Sequence, residues 1–301
     1  MDSEAAADDL RLALVGENIS VYGGPDAVCR GIEECGAELI IHSIAGLAGL
    51  PSAIAAAKTG ARIGMANKEA IITAGDWIYD ELKKSGGQLI PVDSEHSAIF
   101  QCLAASGAAR ADGCDGSSIV KRILLTASGG PFFGWDRAQL ENVTPEAALA
   151  HPTWKMGPKI TIDCATLMNK GFEVIEARWL FGVPAEKIQV LVHPQSIVHS
   201  AIQYVDGSVK AQLGVPDMRL PIQYAFSYPQ RLHLSGERLD LFKHTLEFFE
   251  PDMEKFRCLA MAYESLRLGG NMPCIVNAAN EVVNEAFRKN RCGFLQMGDI
   301  I

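Results

Sequence analysis

Short apolar runs alternate with stretches of helical periodicity over the first 126 residues, and this alternation restricts the possible folds more than any other feature. The apolar runs lie at residues 38–43, 62–66, 88–92 and 122–126, and the helical stretches lie at about 50–59, 69–85 and 95–106. Strands that alternate with helices in this way form a parallel sheet covered by helices. We therefore predict an α/β protein that begins with a parallel-sheet domain.

The alternation stops after residue 126. Ser128-Gly129-Gly130-Pro131 interrupts it, and no strong periodicity returns before about Lys159. Such a long stretch inside a compact domain is usually functional, and glycines near its ends can act as hinges. We predict a lid loop at about 128–158.

Three β-like runs in the second half predict an antiparallel sheet. They lie at 188–192, 199–205 and 208–213, and Asp206-Gly207 between the last two is a strong hairpin signal. The remaining predicted elements are an irregular segment at about 232–254 and helices at about 254–267 and 274–289. This half of the chain is therefore predicted to be α+β.

Composition and charge argue against several classes of protein and partner. With 48% hydrophobic and 21% charged residues among 301, the chain is typical of a globular protein. A net charge of −9 and the lack of a Lys/Arg cluster argue against a nucleic-acid partner. No apolar run of about 18 residues occurs, so no membrane span is predicted.

Cysteine usage and the N-terminal residues favour a cytoplasmic location. The eight cysteines, Cys114 among them, are scattered without a CxxC pair or a spacing suited to zinc, which is typical of reduced thiols. The first residues are acidic and small, and they lack the basic start and apolar core of a signal peptide.

Two short stretches concentrate groups that bind metals and phosphate. Asp93 and Glu95 directly follow the apolar run at 88–92, and the ends of buried parallel strands are where α/β proteins place ligands. Asn169, Lys170 and Glu173 fall within one turn of a predicted helix and share a face. An isolated Asp-x-Glu is usually solvated surface, but a third carboxylate and an ammonium favour a divalent cation with a phosphorylated sugar.

Several further blocks accompany these stretches along the chain. They are Asn67-Lys68-Glu69, Ser128-Gly129-Gly130-Pro131, His151-Pro152-Thr153-Trp154, His193-Pro194-Gln195-Ser196, Pro216-Asp217-Met218-Arg219 and Asn277-Ala278-Ala279-Asn280-Glu281. In order and spacing, the blocks closely resemble those of the 1-deoxy-D-xylulose 5-phosphate reductoisomerase family. The resemblance covers nearly the whole chain.

The resemblance implies an NADPH-dependent enzyme of non-mevalonate isoprenoid precursor biosynthesis. The family converts 1-deoxy-D-xylulose 5-phosphate to 2-C-methyl-D-erythritol 4-phosphate by rearranging the carbon skeleton and reducing the resulting aldehyde. Asp93, Glu95 and Glu173 would be the catalytic carboxylates that bind Mg²⁺ or Mn²⁺, a ligand set suited to hard cations. Lys68 would be a fourth catalytic residue, which positions the reacting oxygens of the substrate.

The resemblance also implies how substrate and cofactor are held. Lys68, Glu95 and Glu173 match substrate-binding positions as well. The other substrate-binding positions are Ser94, Ser128, His151, Trp154, Cys164, Asn169 and Lys170, with Ser128, Asn169 and Lys170 on the phosphate and Trp154 in the lid. The cofactor-binding positions are Asn67, Glu69 and Gly157. His42, His199, His233 and His244 match no site position and are predicted to be surface or structural residues.

The implied architecture divides the chain into four regions. They are a partial Rossmann-like, NADPH-binding domain at 1–92, a catalytic α+β domain at 93–232, a linker at 233–253 and a partial helical C-terminal domain at 254–301. A homodimer is expected by resemblance. The only expected partners are a small phosphosugar and a second copy of the chain.

The chain departs from the family pattern in three places. No G-x-G-x-x-G motif for the NADPH pyrophosphate occurs, and the sequence ends inside the family's helical terminal domain. We expect from this a truncated chain that binds NADPH poorly by itself. Cys164 stands where the family usually has a serine that donates to phosphate, and a thiol is a weaker donor.

These departures leave two alternatives open. One is a non-catalytic remnant that binds phosphosugars through its metal, and the other is an interaction module that retains only the fold. Metal-dependent ligand binding without NADPH oxidation would favour the first, and the lack of any stabilisation by metal would favour the second.

Overall fold

The computed structural model describes Met1, residues 3–107 and residues 118–301. The strands are β1 (Leu39–His42), β2 (Arg62–Met65), β3 (Gln88–Pro91), β4 (Val120–Ala127), β5 (Ile188–Val192), β6 (Val198–Tyr204) and β7 (Val209–Leu213). The helices are α1 (Glu4–Ala13), α2 (Ala27–Glu34), α3 (Leu50–Lys58), α4 (Lys68–Ser85), α5 (Ser94–Ala104), α6 (Arg137–Leu140), α7 (Pro145–Ala148), α8 (Pro158–Ala165), α9 (Met168–Phe181), α10 (Arg219–Ser227), α11 (Arg257–Leu268), α12 (Met272–Arg288) and α13 (Phe294–Ile300). Three 3-10 turns lie at Leu47–Gly49, Ala185–Lys187 and Leu241–Lys243.

The first sheet consists of β1, β2 and β3 in that order, with all neighbours parallel. Helices α3 and α4 provide the crossovers between these strands, as the alternation of apolar runs and helices predicts. Because the sheet is parallel, the carboxyl ends of β2 and β3 lie side by side. Lys68 follows β2 and Asp93 follows β3, so both lie at this edge of the sheet.

The second sheet differs from the sequence-based expectation in two respects. Its order is β5-β4-β6-β7, so β4 does not continue the first parallel sheet. The sheet is mixed rather than antiparallel, because β5 runs parallel to β4 while the β4–β6 and β6–β7 pairs are antiparallel. The predicted hairpin between β6 and β7 is present. The apolar run of β4 carries no information on its pairing partner, which is why the sequence pattern assigned it to the wrong sheet.

The predicted lid region contains two short helices, α6 and α7. Asp136 accepts a hydrogen bond from the Gln139 backbone N–H, and the Gln139 side chain accepts one from the Asp136 N–H, which forms a capping box at the start of α6. Thr144 caps α7 through its side chain. Helices of four residues produce too little periodicity to be recognised in the sequence.

A continuous apolar core contains residues from both sheets and from the helices that pack around them. Helix α9 packs against α4 on one side and α11 on another, while α5 packs against β6 and β7. Helix α12 contacts α4 and α8. The α/β fold class is confirmed, while the division into four regions stays a prediction.

None of the helices in the described residues combines the length and the apolar character needed to cross a bilayer. The seven cysteines within the same residues are all free thiols. Cys114 lies outside the described residues.

Candidate active site

A cavity of about 260 Å³ opens at the carboxyl ends of β3 and β4. It is lined by most of the predicted site residues, namely Lys68, Asp93, Ser94, Glu95, Ser128, His151, Trp154, Cys164, Asn169, Lys170 and Glu173. Other lining residues include Ala66, Met156, Ile160, His193, Ser196, His199 and Met218. The fold therefore brings together side chains that are widely separated along the chain.

Three carboxylates converge on one side of this cavity. Asp93 is the N-cap residue of α5, Glu95 lies in the first turn of the same helix, and Glu173 lies on α9. One oxygen from each lies within 4.8 Å of the oxygens of the other two. An all-oxygen set of this kind suits Mg²⁺ or Mn²⁺ and gives no soft ligand for zinc or copper.

Two lysine ammonium groups lie against the carboxylates. The Lys68 Nζ is 2.6 Å from Asp93 Oδ2 and 3.4 Å from Glu173 Oε1. The Lys170 Nζ is 2.9 Å from Glu95 Oε1, and it also contacts Glu173 Oε2. Both lysine side chains are buried, so these interactions take place largely out of solvent.

The environment of this cluster shifts the pKa values of Glu173 and Asp93 in opposite directions. Burial and the neighbouring Glu95 charge raise the pKa of Glu173 to about 7. Burial also disfavours the charged form of Asp93, but the neighbouring positive charges, of which Lys68 contributes most, together outweigh it and lower the pKa of Asp93. A divalent cation would offset the repulsion that remains at Glu173. The donor set and its charge therefore fit a bound metal.

Asn169 and Ser94 complete the hydrogen bonds around the carboxylates. Asn169 accepts a hydrogen bond from Lys68 Nζ at 2.9 Å and donates one to Glu173 Oε1 at 2.6 Å. Ser94 donates to Glu95 Oε2 at 2.6 Å. These bonds hold the carboxylate oxygens in one orientation.

Ser128 and His151 both line the cavity and both lie in the predicted lid region. His151 Nδ1 accepts hydrogen bonds from the backbone N–H groups of Thr153 and Trp154, at 3.2 and 2.9 Å. Burial lowers the pKa of His151, so the neutral ring carries its proton on Nε2. That nitrogen therefore donates to Ser128 Oγ, 3.1 Å away, and leaves the hydroxyl proton of Ser128 free for a ligand.

Cys164 reaches the same cavity from α8. Burial raises the pKa of its thiol, so the group is neutral and is a weak hydrogen-bond donor. Trp154, which lies between the Ser128–His151 pair and α8 along the chain, is half-buried at the cavity wall.

The three predicted cofactor-binding residues do not line this cavity. The Asn67 amide donates to Ile44 O and to Gly46 O, and its oxygen accepts from the Ala70 N–H to cap α4. Glu69 pairs with Lys159 at 3.1 Å. Gly157 is the exposed N-cap residue of α8.

The structure also places residues at the site that the sequence patterns did not assign. Glu176 lies one helical turn after Glu173, and its Oε2 is 3.5 Å from His96 Nδ1 in a fully buried pair. His96 Nε2 bonds to the Glu173 carbonyl oxygen at 2.9 Å. Glu176 lies three residues after Glu173 on α9, and residues with this spacing share a helix face, so the sequence did contain a signal for it.

Among the histidines expected to be structural, His199 instead lines the cavity, on strand β6. Its position depends on how β6 pairs with β4, which the sequence does not indicate. His42 bonds to Ser52 at 2.8 Å, away from the cavity.

Family models match three parts of the chain. Residues 1–75 match 1-deoxy-D-xylulose 5-phosphate reductoisomerase, and residues 89–181 and 213–301 match C-terminal domains of the same enzyme. A relative of that name from Phocaeicola vulgatus is 52% identical over 293 residues, which covers 97% of this chain and 74% of the relative. The chain belongs to the 1-deoxy-D-xylulose 5-phosphate reductoisomerase family. A second family member, from Chloroherpeton thalassium, is 48% identical over 300 residues, and the match covers 99% of this chain and 75% of the relative.

Solved structures of reductoisomerases have the same fold. A crystal structure of DOX-P reductoisomerase in complex with NADPH, fosmidomycin and magnesium superposes with a TM-score of 0.90 at 40% identity, covering 99% of this chain and 74% of that one. The reductoisomerase from Zymomonas mobilis in complex with NADPH gives a TM-score of 0.88 at 42% identity, covering 98% and 74%. The chain thus spans about three quarters of the reductoisomerases that it matches.

Proposed function

We propose that this chain is an NADPH-dependent reductoisomerase that converts 1-deoxy-D-xylulose 5-phosphate to 2-C-methyl-D-erythritol 4-phosphate. The observation that carries the proposal is the convergence of Asp93, Glu95 and Glu173 with two buried ammonium groups in one cavity. This arrangement suits a substrate with adjacent oxygens at one end and a phosphate at the other.

Asp93, Glu95 and Glu173 would hold Mg²⁺ or Mn²⁺. When bound, the metal supplies Lewis-acid polarisation of the substrate oxygens. Lys68 contacts two of these carboxylates, so its ammonium orients them and is available to the same substrate oxygens. Ser94, which is bonded to Glu95, lies where it would contact the substrate beside the metal.

The phosphate would bind among Ser128, Asn169 and Lys170, with Cys164 as a weaker contact. The Ser128 hydroxyl retains its proton for donation because His151 already donates to its oxygen. Lys170 would supply positive charge for the phosphate from a buried ammonium that also lies 2.9 Å from Glu95 Oε1. Trp154 would cover the bound substrate and exclude water.

NADPH would supply the hydride for the reductive step. We propose that Asn67, Glu69 and Gly157 contribute to its site. The Asn67 amide bonds to Gly46 O, and Gly157 has no side chain, so these two residues would contact NADPH through backbone groups. Glu69 would contact it through the part of its side chain that does not face Lys159.

The test is NADPH oxidation by the purified chain with 1-deoxy-D-xylulose 5-phosphate and Mg²⁺ or Mn²⁺. We expect slow NADPH oxidation, because the chain has no G-x-G-x-x-G motif for the NADPH pyrophosphate. Asp93→Asn should abolish it, because the substitution removes an anionic metal ligand and the charged partner of Lys68. Asp80→Asn on α4, at a side chain that is 65% exposed, is the matched control and should retain activity. Metal-dependent substrate binding without NADPH oxidation would contradict the proposal and point to a non-catalytic binding protein.

We further propose a cytoplasmic homodimer. The free thiols throughout the described residues suit a reducing compartment. Strand β7 lies at the edge of the second sheet, and Val209 on it is 54% exposed. An exposed edge strand is suited to pairing with the same strand of a second copy.

A further inference from the structure

A buried carboxylate outside the metal site lies between two helices of different regions. Asp163 on α8 is only 2% exposed. Its Oδ1 accepts hydrogen bonds from Asn280 Nδ2 at 2.9 Å and from Asn284 Nδ2 at 2.8 Å, and both asparagines lie on α12. Its Oδ2 accepts one from Lys159 Nζ at 3.2 Å. Asp163 therefore depends on α12 for two of its three donors.

The same group of residues reaches the candidate active site by two routes. Lys159 Nζ also pairs with Glu69 at 3.1 Å, and Glu69 is next to Lys68 at the start of α4. Asp163 precedes Cys164, which lines the cavity. A displacement of α8 would therefore move a wall of the cavity and disturb the start of α4.

One ammonium group serves two carboxylates in this network. Asp163 Oδ2 and Glu69 share Lys159, while the two amide donors from α12 satisfy the other oxygen of Asp163. Asn284 Nδ2 also donates to the Lys159 carbonyl oxygen at 3.0 Å, and its own Oδ1 accepts from Arg288 Nε at 2.9 Å. Without the amides, Asp163 would be a buried carboxylate that must draw Lys159 away from Glu69.

We propose that Asn280 and Asn284 of α12 are positioning residues for the substrate cavity, acting through Asp163 and Lys159 to fix α8 against α4. This inference rests on the proposed reductoisomerase function for its catalytic consequence. It assigns the C-terminal helices a role in holding the substrate site, although α12 contributes no side chain to the cavity wall given above.

The test compares Asn280→Ser and Asn284→Ser with the control Asn277→Ser. Asn277 lies on the same helix and is similarly buried, but it makes no hydrogen bond to Asp163. We expect the two variants to raise KM for 1-deoxy-D-xylulose 5-phosphate about tenfold while kcat falls less than about threefold, since misplacement of binding groups weakens substrate positioning. The control should leave KM unchanged. An unchanged KM in both variants, or an equal increase in the control, would overturn the inference.

A second readout separates this inference from the proposed function. Hydrogen–deuterium exchange of the α8 backbone, measured without substrate, should be faster in both variants than in the Asn277→Ser control. Equal exchange rates would overturn the positioning role whether or not the chain turns over substrate. Failure of the unsubstituted chain to oxidise NADPH would contradict the proposed function alone.

A third variant covers the case in which the asparagine variants do not fold. Lys159→Met breaks the connection between α8 and Glu69 at a side chain that is 31% exposed. We expect the same increase in KM and the same faster exchange of α8. A KM and exchange rate equal to those of the unsubstituted chain would overturn the inference.

Discussion

Glu173 is subject to opposing electrostatic effects in the candidate active site. It is buried, it faces two other carboxylates, and it contacts both lysine ammonium groups. Its raised pKa of about 7 means that, without metal, its charge is only partly compensated at neutral pH. The metal site is therefore built with a surplus of negative charge, which favours a cation over an empty site.

This surplus predicts a pH-dependent stabilisation by metal. The folded pKa of Glu173 is raised from 4.5 to about 7, so the metal-free fold gains stability from the proton below that range and loses it as pH rises through 7. Metal binds the ionised form. We expect Mg²⁺ to raise Tm more at pH 8 than at pH 6, measured by differential scanning fluorimetry. Glu173→Gln should remove most of this difference, and equal increases at both pH values would contradict the prediction.

At Cys164 we predict a gain in ligand affinity from Cys164→Ser. A hydroxyl is a better donor than the neutral thiol, and one hydrogen bond contributes about 1 kcal/mol, or about a fivefold lower Kd. The measurement is calorimetric titration of 1-deoxy-D-xylulose 5-phosphate into the Mg²⁺-loaded protein. Cys164→Ala is the control and should not improve affinity. If the serine variant binds no tighter, the side chain at this position does not contact phosphate.

At the scale of elements, close packing between α9 and α11 fixes the helix that carries Lys170 and Glu173. A Cβ atom added at Gly171 would lie 2.7 Å from the Cβ of Ala262 on α11. Neither backbone can give way without moving a whole helix. The glycine therefore allows α9 and α11 to pack at this short distance.

Gly171→Ala is predicted to destabilise the fold by about 1–3 kcal/mol because it overpacks this contact. Urea denaturation would measure the change in the free energy of unfolding. Gly31→Ala on α2 is the matched control, since the nearest atom there is 3.5 Å away and alanine favours a helix. A Gly171→Ala variant as stable as the original chain would show that α11 is free to shift.

Local patterns explain which elements could be predicted from the sequence. Strands β1 to β3, their helices and the β6–β7 hairpin were predicted because each has its own periodicity or turn signal. The sheet to which β4 belongs was not, because pairing is a non-local property. In the site, Asp93 and Glu95 could be recognised at a strand end, whereas His199 and the Glu176–His96 pair reach the site only through tertiary packing.

At the scale of the whole molecule, the exposed edge of β7 predicts the state of assembly. The chain has a mass of 32.5 kDa, and we expect light scattering to give about twice that value for the dimer. Val209→Asp should shift the protein to monomer, because two copies paired through β7 would bring like charges close together. Val282→Asp on α12, at a side chain that is 69% exposed, is the control and should remain dimeric. A monomeric original chain would contradict the proposal.

The parallel pairing of β4 with β5 has a consequence for the order of folding. The segment that connects them, from Ser128 to Lys187, contains His151, Cys164, Lys170 and Glu173. The contact between Lys170 and Glu95 joins residues that are 75 positions apart, and contacts of such high sequence separation form slowly because a long loop must close first. A ligand that binds them acts on a contact made late in folding, so it should lengthen the lifetime of the native state far more than it speeds folding.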